Sequence, residues 1–120
     1  AEEAVSGVAL YICLGSEIGN VTFSPSNLGV YTYAGQTATG AKTTVNYSPV
    51  QVNGGNQVYG EFVERQFGTV DLVQGWNVIQ IAVLANDLRG EGTTGGPGID
   101  YIRFDTAASI KWVPLTFNLA

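Results

Sequence analysis

The sequence predicts an all-β protein: a two-sheet β-sandwich, or jelly roll, of about nine strands. Three observations predict it. Apolar residues alternate with smaller or polar ones at a period of two, and no stretch carries the roughly 3.6-residue period of a helix. Sixteen glycines and four prolines interrupt that alternation at short, even spacing, as turns do. Charged residues are 12% of the chain against 45% hydrophobic, so Thr, Asn, Gln, Ser and Gly must supply the polar faces, as suits wide sheets better than salt-bridged helices.

The strands follow in order. Val8, Leu10, Ile12 and Leu14 alternate in the first. Asn20 to Phe23 form a short second, closed by Ser24-Pro25-Ser26-Asn27. Residues 29–34 put Tyr31 and Tyr33 on one face and Val30, Thr32 and Ala34 on the other. Val45 and Tyr47 continue the pattern until Pro49, which marks an edge or a bulge. Val50 and Val52 run into Asn53-Gly54-Gly55-Asn56, a hairpin signal. Residues 58–67 and 69–73 follow, with Gly68 as the break between them. Gln74-Gly75 turns the chain into residues 76–84, the strongest strand pattern in the sequence. A glycine-rich loop over 86–98 precedes a strand at 99–104, and residues 110–119 read as the last strand. At 120 residues this is one domain, bounded by apolar strands at about 8–14 and 110–119.

The composition excludes several functions. The net charge is −5 and the five cations, Lys42, Arg65, Arg89, Arg103 and Lys111, are dispersed, so no basic patch exists for nucleic acid. No apolar run is long enough to insert into a membrane. The chain has no histidine, hence no Ser-His-Asp triad, histidine base or histidine metal ligand. Glu61 and Glu64 fall on opposite faces of a strand and make a poor carboxylate pair. The glycine-rich run 90–96 lacks the lysine and the following helix of a phosphate loop. The expectation is a protein that is not an enzyme. Cys13 stands alone in an apolar run and reads as a small buried hydrophobe. The chain lacks methionine, so Ala1 is no initiator; a mature extracellular chain whose signal peptide has been removed is the reading that fits. Asn20-Val21-Thr22 is a glycosylation sequon.

Gly75-Trp76-Asn77-Val78-Ile79-Gln80-Ile81 and Gly95-Gly96-Pro97-Gly98-Ile99-Asp100-Tyr101-Ile102 resemble the C-terminal half of carbohydrate-binding modules of families 6, 35 and 36. The opening Ala1-Glu2-Glu3-Ala4, the Leu28-Gly29-Val30-Tyr31-Thr32 segment and Val52-Asn53-Gly54-Gly55 are similar to other pieces of those modules. The resemblance implies a jelly roll with a structural calcium (Ca2+) held by Glu2 or Glu3 together with Asp100. Asp87 and Glu91 in the long loop offer a second carboxylate set for such a hard cation. It also implies a polysaccharide ligand stacked on aromatic rings, for which Tyr59, Trp76 and Trp112 are the candidates. The asparagine with which the family holds the sugar is Gly98 in this chain, and glycine has no side-chain amide to offer.

The chain also continues past the strand that closes those modules. Val113, Leu115, Phe117 and Leu119 alternate at the end and need a groove to fill. They fit either this chain's own sandwich or a neighbouring copy, through added strand hydrogen bonds and alternate side-chain anchors. Val8, Leu10, Ile12 and Leu14 could serve the same exchange. Low charge, abundant Thr, Val, Asn and Gln, and two apolar ends loosely resemble the self-assembling archaeal cannula subunits. The function expected is an extracellular structural protein whose partner is itself, a homopolymer forming a filament, tube or matrix braced by calcium. A carbohydrate-binding module of a secreted glycan-active protein is the alternative.

Overall fold

A computed structural model describes residues 1–16, 21–52, 62–84 and 97–112. Among the described residues there are eight strands and no helix: β1 Val5–Ser16, β2 Val21–Phe23, β3 Leu28–Ala34, β4 Lys42–Thr44, β5 Val50–Val52, β6 Val63–Leu72, β7 Asn77–Val83 and β8 Pro97–Asp105. They form three antiparallel sheets, ordered β6-β1-β8, β2-β5 and β4-β3-β7. The arrangement is sandwich-like, with one apolar core between the first sheet and the other two.

β1 organises this core. Its alternation turns Val8, Leu10, Ile12 and Leu14 inward, where each is at most 3% exposed. Opposite them stand Val21 and Phe23 of β2, Leu28 and Val30 of β3, and Val50 and Val52 of β5, all buried. Burying each such side chain stabilises the fold by about 1.5–3 kcal/mol.

Strict alternation would not keep all three strands of the first sheet aligned, and three bulges correct the phase. Between Val5 and Val8 the chain takes three steps while β6 takes two, and Gly7 absorbs the extra residue at φ 66°. Its N–H donates to Asp71 Oδ1 at 2.9 Å. Between Ala9 and Tyr11 the surplus lies on β6, at Gly68 with φ 71°. Phe67 and Val70 therefore both face the core although three positions apart. The third extra residue is Asp100, between the Cys13–Tyr101 and Leu14–Ile99 pairs.

Several expectations change. Gly68 does not end a strand: β6 runs through it as a bulge. β4, a three-residue edge with every residue exposed, carries no apolar pattern that the sequence could reveal. Its Lys42 ammonium instead lies 4.2 Å from the centre of the Tyr31 ring, which itself covers Gly29. Val45 and Tyr47 are buried without belonging to a strand. The Val45 N–H donates to the Val30 carbonyl at 2.8 Å, and the Tyr47 hydroxyl donates to the Leu28 carbonyl at 2.5 Å. Hydrogen bonds at an irregular segment replace the ladder. β5 pairs with β2, and the hairpin signal at 53–56 lies outside the described residues. Residues 110–112, expected to begin the last strand, are not in one, and 113–119 lie outside the described residues.

Two substitutions test this account. Gly68→Ala forces a side chain into the left-handed region and drives its Cβ into the Asn46 carbonyl oxygen, so it should destabilise the protein by about 2 kcal/mol or more in urea unfolding. Burial, and next the neighbouring Tyr31, push the Tyr47 phenol up from 10.0 to about 12. Its raised value adds stability that is complete below the unfolded pKa and is lost as pH rises from 10.0 towards 12. Tyr47→Phe should cost about 1–3 kcal/mol, by leaving the Leu28 carbonyl unpaired, and should remove that alkaline loss from pH-dependent melting.

Candidate functional site

Within the described residues β8 ends one of the larger sheets and β7 ends the other, each hydrogen-bonded on one side only, and residues of both line one cavity. Register identifies their inward side chains. Ile79, Ile81 and Val83 of β7 sit opposite Thr32, Val30 and Leu28, while Ile99, Ile102 and Phe104 of β8 sit opposite Leu14, Ile12 and Leu10. Those partners are buried, yet the six are only half-buried or exposed, with Val83 at 51% and Ile99 at 41%. The bulge at Asp100 is what turns both Ile99 and Ile102 inward. At the Phe104 end these two faces form an apolar cleft, a cavity of about 470 Å³ lined by Val78 and Ile79 of β7 and Ile102 and Phe104 of β8.

Two tryptophans stand on the rim of that cavity. Trp76 ends the crossing from β6 to β7. Asn77 clamps this turn: its Oδ1 accepts the Val73 N–H and its amide donates to the Val73 carbonyl, both at 2.9 Å, and to the Gly75 carbonyl at 3.3 Å. The Trp76 carbonyl accepts the Gly35 N–H at 2.8 Å, which ties the turn to the end of β3. Trp112 arrives by a return of the chain after β8. The Ala108 N–H donates to Thr106 Oγ1, Ile110 packs on the core, and the Trp112 ring stacks on Phe104 with centroids 5.1 Å apart and planes 15° apart. Trp76 is 50% exposed and Trp112 52%. Gln36 and Lys111 add polar groups to the same rim.

No family model, curated protein or solved structure matches this chain.

The remaining predicted site residues are placed differently from expectation. Glu2 and Glu3 precede β1, and the Glu2 N–H donates to the Ser109 carbonyl at the Phe104 end of the cleft. Asp100 bulges out beside Leu14, near the other end of β1. The strand from Val5 to Leu14 lies between Glu3 and Leu14, a span of roughly 30 Å. Calcium ligands lie about 2.4 Å from the ion. The expected clip of Glu2 or Glu3 with Asp100 therefore does not form in this fold, and these carboxylates do not fit a shared metal. Asp87, Glu91 and Tyr59 lie outside the described residues, as do Val113, Leu115, Phe117 and Leu119. The strand-exchange expectation for Val8, Leu10, Ile12 and Leu14 is likewise corrected. β1 is the middle strand of its own sheet, paired on both edges, and giving it up would dismantle that sheet and the core beneath. No helix among the described residues is long and apolar enough to cross a membrane.

A cluster that the sequence reading did not assemble covers the outer face of the first sheet. Glu64 of β6 accepts from the Tyr101 hydroxyl at 2.5 Å and from Arg103 Nε and a terminal guanidinium nitrogen at 3.2 and 2.5 Å. The guanidinium also lies 4.3 Å from the centre of the Tyr11 ring. Tyr101 and Arg103 are two apart on one strand, so they share a face; only the cross-strand register brings Glu64 and Tyr11 to them.

Arg103, and next Tyr101, hold the Glu64 carboxyl below its ordinary value, and the bond to Glu64 pushes the Tyr101 phenol up to about 12. The contribution of Glu64 is present above its unfolded pKa and is lost as pH falls through the lowered folded value. Arg103→Ala should move the Glu64 titration upward towards that of a free glutamate, as read by NMR of the side-chain carboxyl carbon.

Proposed function

We propose that this chain is a non-catalytic, extracellular structural subunit of jelly-roll build. Copies of it assemble into a filament, tube or matrix by exchanging the apolar strand at 113–119. The observation that carries this reading is the cleft between β7 and β8. Two sheet edges free within the described residues, with half-exposed isoleucine, valine and phenylalanine side chains between them, are the complement of an extended segment. Such a segment adds main-chain hydrogen bonds to an edge and drops every second side chain into the apolar space. Val113, Leu115, Phe117 and Leu119 have that spacing. Seven residues of strand reach about 23 Å, which matches the seven residues of β7 that wall the cleft. An unpaired apolar edge is a liability in a monomer and a means of attachment in an assembly. A strand there also raises the eight described strands to the nine of the jelly roll.

A second reading has its own observation. Trp76 and Trp112, two of the three aromatic sugar candidates, are half-exposed on one cavity, with Gln36 and Lys111 beside them. Its volume of about 470 Å³ lies in the range of small-ligand pockets. That arrangement suits a sugar stacked on indole in a carbohydrate-binding module. The apolar depth of the cleft, lined by Ile79, Ile102 and Phe104, favours a strand over a hydroxyl-rich ligand.

One variant and one titration separate the readings. Phe117→Asp places a carboxylate in the apolar cleft at a cost of several kcal/mol. It should abolish oligomers in light scattering and filaments in electron microscopy while leaving a folded, soluble chain by circular dichroism. If the strand serves only its own sandwich, the same variant unfolds the monomer. In the sugar reading, soluble polysaccharides quench Trp76 and Trp112 fluorescence saturably, and Trp112→Ala should weaken binding at least tenfold.

A further inference from the structure

We propose that Asn46 is a glycosylation site, carrying an oligosaccharide on its side-chain amide nitrogen. Asn46-Tyr47-Ser48 is an acceptor sequon, and unlike Asn20-Val21-Thr22 it lies wholly within the described residues. The proposal rests on the extracellular reading, because such transfer takes place on chains that leave the cytoplasm. It goes beyond that reading by naming the modified residue and the surface that the sugar covers.

The local fold separates an acceptor from a chance tripeptide. Val45 and Tyr47 are buried, at 4% and 8% exposed, while Asn46 and Ser48 are both exposed. The amide and the hydroxyl that a transferase reads together are therefore both open to it. Residues 45–49 belong to no strand. The segment is tied down by the Val45 N–H and the Tyr47 hydroxyl, which leave the Asn46 side chain outside. Three asparagines are described, and the other two are engaged in the fold. Asn27 Oδ1 accepts the Ser24 N–H and its amide donates to the Thr22 carbonyl. Asn77 clamps the turn at Val73. Asn46 meets the fold through its backbone carbonyl, which lies against Gly68. A substituent on its amide nitrogen therefore displaces nothing in the core.

The step is a glycosyl transfer from a lipid-linked sugar phosphate, catalysed by a transferase. Asn46 Nδ2 attacks the anomeric carbon and forms the C–N bond. The bond from that carbon to the phosphate oxygen breaks, the oxygen keeps the electron pair, and the amide proton passes to a base of the transferase. Pro49 sets the efficiency. It restricts Ser48 to extended backbone, against the turn that brings hydroxyl and amide together, so only a fraction of chains is modified. The place of the sugar is defined. Asn46 follows β4 and abuts β6, and among the described residues these strands end their sheets opposite β7 and β8. A glycan there covers the exposed β4 edge, which is otherwise a liability. It leaves the cavity beside Trp76 and Trp112 clear.

Peptide mass spectrometry tests this. Trypsin cuts after Lys42 and Arg65, which puts Asn46 and Asn20 on different peptides. The protein is isolated from the extracellular and cytoplasmic fractions of its source cells. The expected result is a sugar mass on Asn46 in peptide 43–65 of the extracellular chain, mixed with the bare peptide. Extracellular chain with the bare peptide alone overturns the glycan and leaves the extracellular reading standing. Recovery from the cytoplasm alone overturns both. A second arm sends the full chain, with Asn20→Gln, through the secretory pathway of a glycosylating host. There Ser48→Ala should abolish the sugar with Asn46 still in place, and Pro49→Ala should raise its occupancy. Thr37→Asn creates a sequon with Thr39 on an exposed loop and reports that the transferase reached the chain. A sugar on that control, with Asn46 bare even in the Pro49→Ala chain, overturns the proposal.

Discussion

The antiparallel pairing of β1 on both its edges is the constraint on which the rest depends. Twelve residues long, it has β6 on one side and β8 on the other, and it contributes three of the most deeply buried side chains in the core, Leu10, Ile12 and Leu14. Because the strand is fixed on both edges, any mismatch of phase with its neighbours has to be absorbed locally. Gly7, Gly68 and Asp100 absorb it. The two glycines do so in a left-handed conformation that costs them little. The bulges are thus the means by which a long central strand and two differently phased neighbours share one core.

The cleft is a consequence of the same order. With β1 in the middle, β8 ends the first sheet among the described residues, and the crossing at Trp76 delivers β7 to the end of another. The core is densest under β1, β2, β3 and β5 and thins towards β7 and β8, where the inward residues keep much of their exposure. Among the described residues, the inward side chains of these two strands have the direction and spacing that the proposed strand exchange would use. The alternating segment that begins at Val113 has the complementary pattern. The outer face of the first sheet differs in kind. There Glu64, Tyr101, Arg103 and Tyr11 satisfy one another, so that face is polar and internally paired.

Much of the fold was legible in the residues. Alternation at Val8, Leu10, Ile12 and Leu14 located β1, and β2, β3, β5, β7 and the core of β8 fell within a few residues of their expected places. Errors came where a residue's role depends on a partner strand. Gly68 reads as a break because a bulge and a turn draw on the same conformational freedom. β4 has no apolar pattern because it is held by backbone pairing and by Lys42 over Tyr31. Val45 and Tyr47 alternate like a strand because burial, not pairing, selects apolar residues there. Of the candidate site, Trp76 and Trp112 were found by residue type, but nothing in the sequence places them on one cavity. The carboxylates Glu2, Glu3 and Asp100 were grouped by resemblance, and the length of β1 separates them.

The sequence by itself determined that the described residues are all-β and which side chains of β1 enter the core. Period and turn chemistry are local properties, and a chain reports them directly. Only the tertiary structure decided which strands end the sheets among the described residues, where the phase slips, and that residues of β7 and β8 line one cavity. Those outcomes are set by pairings between residues dozens of positions apart, whose register no local pattern records.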